Sequence, residues 1–149
     1  GAEVELGPIA GLFTLPDNPT KPLCFIAGGI GITPFMSILS HVKENNLPYQ
    51  IILIYSNRNR QSTAFLGEIQ TLAKEMPNLN LILTMTEDNQ WVGEKRQVDA
   101  QFIKSYFPKV NDYFYMVAGP PGMVEAVEKA LLEAGVDKDN LKKENFTGY

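Results

Sequence analysis

Apolar residues occur along this chain in short continuous runs that alternate with stretches of helical spacing. The continuous runs predict strands covered on both faces, as in a parallel sheet. Such strands are predicted from Leu23 onward and at 50–56, 79–85 and 113–118, with a last short strand at 141–146. Each strand is followed by a segment long enough for the crossover that parallel pairing needs.

The segments between the strands predict helices with one apolar face. The first is predicted to begin at Thr33 and Pro34, because threonine caps free N–H groups and proline suits the first helical position. A short helix is predicted at about 99–106, and Gly135 is predicted to end the helix before the last strand. The inward-facing residues of the three longer helices are Phe35, Ile38, Leu39 and Val42, then Phe65, Ile69, Leu72, Ala73 and Met76, and finally Val124, Val127, Leu131 and Ala134.

This regular alternation of strand and helix predicts an α/β fold. The expected architecture is a three-layer, doubly wound, five-stranded parallel sheet. A length of 149 residues fits one domain with a substantial core. Residues 1–16, which glycines and prolines interrupt, are interpreted as the tail of a preceding structure, 17–22 as a linker and 23–149 as the domain.

Composition narrows the class of protein. A net charge of −4 argues against a nucleic-acid surface, and no apolar run approaches the ~20 residues of a membrane span. The single cysteine, Cys24, excludes an internal disulfide and a cysteine-cluster metal site, so no metal is expected. Cys24 is predicted to pack in the core and His41 to lie at the surface. The cysteine content fits a reducing compartment, and a cytoplasmic location is expected.

The turn between the first strand and the first helix carries the main chemical signal. Gly28, Gly29 and Gly31 let the backbone approach a ligand closely, and the helix start directs N–H groups and a positive dipole at an anion. A phosphate is the expected ligand. No Lys-Ser or Lys-Thr follows, so the turn is not a Walker loop, and Pro34 stands where the usual dinucleotide fingerprint has its third glycine.

Two further loops are predicted to meet this turn at the carboxyl edge of the sheet. After the second strand come Ser56, Arg58 and Arg60, a hydroxyl and two guanidinium groups that suit the 2′-phosphate of NADP. A solvated basic loop is the alternative. After the fourth strand, the Gly119-Pro120-Pro121-Gly122 turn is rigid and leaves space for a ligand, although it could also be only a stiff helix entry.

Four motifs in order, GGIGITP, YSNR, AGPPGMV and E-x-F near a terminal aromatic, resemble the pyridine-nucleotide domain of the ferredoxin–NADP reductase family. The resemblance runs from Leu23 to the end of the chain. Residues 1–16 resemble the last strand of that family's flavin-binding barrel, whereas the rest of the barrel and its Arg-x-Tyr-Ser pattern are missing. The chain therefore resembles half of a flavin-dependent oxidoreductase.

The resemblance implies roles for the matching residues. The pyrophosphate of NAD(P) would lie near the glycine turn, the adenosine ribose near the YSNR motif and the nicotinamide near the Gly-Pro-Pro motif. The resemblance implies that Glu144, Phe146 and Tyr149 would lie at the flavin junction. Ala118 departs from the many relatives that have cysteine at that position, so no catalytic side chain is assigned beyond Glu144 and Tyr149. The expected cofactor-binding residues are Gly28, Gly29, Gly31, Thr33, Pro34, Ser56, Arg58, Arg60, Gly119, Pro120, Pro121 and Met123, although Met123 also fits the helix core.

The function that the resemblance implies is hydride transfer from NAD(P)H to FAD or FMN, followed by electron delivery to an acceptor protein. NADP is favoured over NAD, although an arginine at position 58 could instead stack on adenine. The expected partners are a flavin-binding domain or subunit and an acceptor such as a ferredoxin, a flavodoxin or an oxygenase. A membrane reductase would place the domain at the cytoplasmic face. The alternative is a regulatory nucleotide-binding or electron-transfer subunit without hydride chemistry of its own.

Overall fold

A computed structural model of the chain describes residues 14–16 and 20–145. Strands and helices alternate in it as the hydrophobic pattern predicts, and short 3₁₀ turns occur at Gly29–Gly31, Val110–Asp112 and Lys138–Asn140. The elements in chain order are β1 (Leu23–Gly28), α1 (Ile32–Glu44), β2 (Ile51–Asn57), α2 (Leu66–Glu75), β3 (Leu79–Met85), α3 (Ala100–Tyr106), β4 (Phe114–Gly119), α4 (Pro121–Glu133) and β5 (Leu141–Asn145).

The five strands form one sheet in the order β3-β2-β1-β4-β5, and every neighbouring pair is parallel. The chain builds outward from β1 in one direction and then restarts on its other side with β4. Ala27 of β1 pairs with Tyr55 of β2 and with Ala118 of β4, so the ends of the three central strands are level. The predicted doubly wound parallel sheet is confirmed.

Alternating side chains of the central strand divide the core into two layers. Phe25 and its neighbours on that face pack against α1 and α2, whereas Cys24 and Ile26 pack with residues of α3 and α4 on the opposite face. Cys24 is fully buried, and burial raises the pKa of its thiol far above the usual range. His41 is exposed on α1, so both residues are placed as predicted.

The first helix begins earlier than the sequence predicts. Gly31, not Thr33, precedes its first residue, and no side chain caps it. The chain passes from the 3₁₀ turn directly into the helix, so Thr33 and Pro34 fall within its first turn, where a missing N–H is tolerated. The prediction that Thr33 caps this helix is wrong.

The second helix differs from the prediction in one residue of its apolar face. Phe65 precedes α2 instead of belonging to it, has a positive φ of 58° and is 43% exposed. Ile69 and Met76 are buried as predicted. A left-handed φ is uncommon for a bulky residue, and it places Phe65 in the turn that precedes the helix.

Several predictions fall on residues outside the described ranges. The tail at 1–16 is described only at 14–16, where Leu15 packs against the α1 side of the core and the Tyr49 hydroxyl donates to the Pro16 carbonyl. The linker at 17–22 is described from residue 20, and Phe146 and Tyr149 lie outside. Within the described ranges, no helix has the length and apolarity to cross a bilayer, and no three metal-ligating side chains are grouped.

Candidate functional site

A cleft of about 540 Å³ opens at the carboxyl ends of the central strands. This volume lies within the usual range for ligand pockets, and ligands of open parallel sheets bind where the strand order reverses. Six of the predicted cofactor-binding residues line it, together with three that were not predicted. The lining residues are Gly28, Gly29, Ser56, Asn57, Arg58, Ser62, Thr86, Pro120 and Met123.

The glycine turn forms one wall of the cleft. Gly29 has a φ of +51°, a conformation that favours glycine, and a Cβ built on it would meet no atom within 4 Å. The Tyr55 hydroxyl lies 3.3 Å from the Gly29 carbonyl oxygen and 3.0 Å from that of Ala64, so it fixes the turn from beneath. The open side of Gly29 and the nearby start of α1 suit an anionic ligand.

The other glycine of the turn has a packing role. A Cβ on Gly31 would lie 2.2 Å from the Ala118 carbonyl oxygen, so only glycine lets the start of α1 contact β4 this closely. Thr33 is exposed on α1 and Pro34 is buried beneath it. None of these three lines the cleft, although all three were predicted to surround the pyrophosphate.

Met123 forms the floor of the cleft between β1 and β4. A Cβ built on Gly28 would lie 3.0 Å from its Cγ, and one built on Gly119 would lie 2.8 Å from its Sδ. The methionine side chain therefore lies across both glycines, which accounts for the need for small residues there. Pro120 lines the cleft, and Pro121 is the first residue of α4.

Arg58 presents a free guanidinium at the cleft. Its side chain is exposed and makes no hydrogen bond or ion pair with any residue in 14–16 or 20–145. Its backbone is anchored, because the Glu87 N–H donates to the Arg58 carbonyl at 2.7 Å and the Thr86 N–H donates to the Asn57 carbonyl at 3.0 Å. The loop thus holds Arg58 in place while leaving its charge available.

Arg60, which was also predicted to bind the cofactor, forms an ion pair in this structure. Its Nε donates to Asp88 Oδ2 at 2.8 Å and its Nη2 to Asp88 Oδ1 at 3.3 Å, so the guanidinium is paired with a carboxylate and does not line the cleft. The paired guanidinium lowers the pKa of Asp88. The two arginines of the loop therefore differ: one is free and the other is neutralised.

Glu144 lies on β5 beside Ala118 in the strand register. Its Oε2 is buried without a hydrogen-bond partner among the described residues, and burial raises the pKa of this carboxyl group. Glu144 does not line the cleft. Its predicted place at a flavin junction stays a prediction, as does that of Tyr149.

The sequence interpretation missed three lining residues, Asn57, Ser62 and Thr86. Asn57 stands between two predicted site residues at a strand end, so its position was a usable signal. Thr86 directly follows β3, a fourth strand end at the same edge, but only three loops were considered. Ser62 gives no comparable signal, because its approach to the cleft depends on how the loop folds back.

Comparison with known protein families identifies the kind of domain that this chain forms. The family model described as the oxidoreductase NAD-binding domain matches residues 25–129, more than half of the chain. The chain belongs to this family. The resemblance inferred from its motifs is thereby confirmed, and the chain is an oxidoreductase NAD-binding domain.

Curated relatives are longer than this NAD-binding domain. The flavohemoprotein of Rhodopirellula baltica is 31% identical over 155 residues, an alignment covering 98% of the chain and 37% of the relative. The NADH-cytochrome b5 reductase 1 of Candida albicans is 31% identical over 143 residues, covering 93% of the chain and 48% of the relative. The chain thus spans between about a third and a half of these relatives.

A solved structure shows the same fold. The flavohemoglobin from Malassezia yamatoensis with bound FAD and heme superposes with a TM-score of 0.78 at 24% sequence identity. The superposition covers 91% of this chain and 34% of that one. At this identity the likeness establishes the fold of the NAD-binding domain.

Proposed function

We propose that this NAD-binding domain holds NAD(P)H in the cleft lined by Gly29, Ser56 and Arg58, for hydride transfer to a flavin. The observation that carries the proposal is the convergence of a left-handed glycine turn and a free arginine on one cleft at the point of strand-order reversal. Membership of the oxidoreductase NAD-binding family supports the same ligand.

The residues of the cleft fit the parts of a dinucleotide. Gly28 and Gly29 leave the backbone accessible to a pyrophosphate, and Ser56 offers a hydroxyl for a ribose. Pro120 and Met123 give an apolar surface beside β4, which suits the flat nicotinamide ring. Bound in this way, the nicotinamide supplies a hydride, while the protein supplies placement and a shielded cleft.

The proposed partner is a flavin-binding domain or subunit that carries FAD or FMN. The relatives are named as a flavohemoprotein and a cytochrome b5 reductase, and the chain matches only part of each, which supports a role as one domain of a larger reductase. An acceptor protein of the ferredoxin, flavodoxin or oxygenase type would receive the electrons. The cytoplasmic location stays a prediction of the sequence.

The preference for NADP over NAD rests on Arg58 in this proposal. Of the two arginines in the loop, it is the one whose guanidinium is free at the cleft. A planar guanidinium fork binds a phosphate through paired hydrogen bonds, and those bonds are stronger when both partners are charged. Arg60 does not contribute to phosphate binding while its guanidinium is paired with Asp88.

A calorimetric titration with AMP and 2′-phospho-AMP tests this proposal on the chain itself. We expect 2′-phospho-AMP to bind about tenfold more tightly than AMP, or ~1.4 kcal/mol, because Arg58 adds a charge-assisted contact. In the Arg58→Ala variant the two affinities should become equal. Arg96→Ala is the matched control, because that arginine pairs with Glu94 away from the cleft and its loss should leave the ratio unchanged.

The outcomes separate the parts of the proposal. Equal binding of both nucleotides by the unchanged protein would assign the domain to NADH and remove Arg58 from phosphate recognition. Binding of neither nucleotide would contradict the proposed function altogether.

A further inference from the structure

The Arg60–Asp88 pair joins the two loops that border the adenosine side of the cleft. Besides the two guanidinium contacts, the backbone N–H of Arg60 lies 3.3 Å from Asp88 Oδ2, and Asp88 Oδ1 accepts from the Gln90 N–H at 3.1 Å. The Asp88 side chain is only 8% exposed, whereas that of Arg60 is 39% exposed. Asp88 is therefore the fixed member of the pair, and Arg60 is the member with room to move.

Arg60 does not line the cleft, but it stands between two residues that do. Arg58 and Ser62, two residues before and two residues after it, are both lining residues. Because both neighbours contact the cleft, an arginine released from Asp88 at this position would have the cleft beside it. Its present direction is set by the carboxylate of Asp88, which comes from the loop after β3.

We infer that Asp88 sets the cofactor preference of this domain by holding Arg60 out of the phosphate-binding set. This inference rests on the proposed function, since it concerns the same cleft. A 2′-phosphate is a dianion or nearly so, and two guanidinium groups would bind it better than one. Asp88 neutralises the second guanidinium, so Arg60 contributes nothing to phosphate binding while this pair is intact. The structure thus assigns Asp88 as a specificity-determining residue that limits the preference for NADP.

The test is the ratio of affinities for 2′-phospho-AMP and AMP, measured by calorimetry on variants of the whole chain. In Asp88→Asn the ratio should rise about five- to tenfold above that of the unchanged protein, because Arg60 is freed. Affinity for AMP should change little, which also reports that the variant is folded. Asp88→Ala is a second variant in which no side-chain oxygen is left to hold Arg60.

Two controls separate this effect from a general change of charge. Glu87→Gln removes the same charge one residue away, where the side chain makes no ion pair with a described residue, and should raise the ratio by less than twofold. In Asp88→Asn combined with Arg60→Ala, the gain should disappear, because the freed arginine is gone. That reversal is the readout that a purely structural role of Asp88 would not give.

Each result has one meaning. An unchanged ratio in both Asp88 variants, with AMP still bound, would overturn the inference and leave the proposed function in place. A gain that persists in the double variant would also overturn it, because the gain would not come from Arg60. If the protein without substitutions does not bind AMP, the proposed function itself is contradicted.

Discussion

A Gly31→Ala variant is expected to lose about 3–5 kcal/mol of unfolding free energy, because an added Cβ would make the shortest contact found at any glycine in the described part of the chain. The added Cβ would lie 2.2 Å from the Ala118 carbonyl oxygen and 2.6 Å from the Gly119 Cα. Both neighbours are backbone atoms of a central strand, so neither can rotate away. The clash can be relieved only if α1 moves away from β4. That movement would also displace the glycine turn beside the cleft.

Urea unfolding followed by far-ultraviolet circular dichroism measures this loss. Gly67→Ala is the matched control, because Gly67 lies in α2 and a Cβ there would meet no atom within 4 Å. That variant should be as stable as the unchanged protein or up to about 1 kcal/mol more stable, since alanine is the better helix former. A Gly31→Ala variant within 1 kcal/mol of the unchanged protein would show that α1 does not pack on β4 as described.

The second large effect is expected from Phe35→Ala, at about 3–5 kcal/mol of lost unfolding free energy. Phe35 is fully buried on α1 and stacks on Phe25 of the central strand, with ring centroids 4.6 Å apart and planes inclined by 13°. Truncation would remove the stacking contact and leave a cavity between helix and sheet. The surrounding strands are paired on both sides and cannot close it.

The same urea titration measures this variant, with two comparisons. Phe35→Leu keeps most of the volume and should cost less than the alanine variant. Phe65→Ala removes the same ring from an exposed site and should change stability by less than about 0.5 kcal/mol. Equal losses at positions 35 and 65 would be inconsistent with the burial described for these two rings.

The architecture could be predicted from the sequence because its signals are local. A short continuous apolar run followed by glycines, such as the one that forms β1, is typical of a strand buried on both faces. The Pro-Pro sequence was interpreted as a rigid turn that opens a helix, and α4 begins there with Pro121 as its first residue. Alternation of such elements then determines a parallel sheet, and with it the edge at which the cleft forms.

The sequence does not show contacts that depend on distant parts of the chain. Arg60 was grouped with Arg58 because both follow the same strand, yet its partner Asp88 lies 28 residues further along. Gly31 was assigned to a ligand, and its spacing gave no sign that it also lies in close contact with β4. Phe65 fits the helical spacing, but the helix begins one residue later. Spacing does not encode these contacts.

The dinucleotide is expected to bind in the cleft at the ends of β1 and β2. Backbone amide NMR of the chain during titration with ADP-ribose tests it most directly, because this ligand contains the adenosine and pyrophosphate but needs no flavin. We predict shifts concentrated at Gly29, Ser56, Arg58 and Thr86. The indole N–H of Trp91, in a separate groove with Leu81 and Leu83, should stay unshifted.

Chemical-shift changes away from the cleft would contradict binding of the dinucleotide there. Shifts centred on Trp91 and its groove would place the ligand at the edge of the sheet, away from the glycine turn. A titration without shifts at Gly29 and Arg58 would mean that the turn serves only to pack α1 against the sheet.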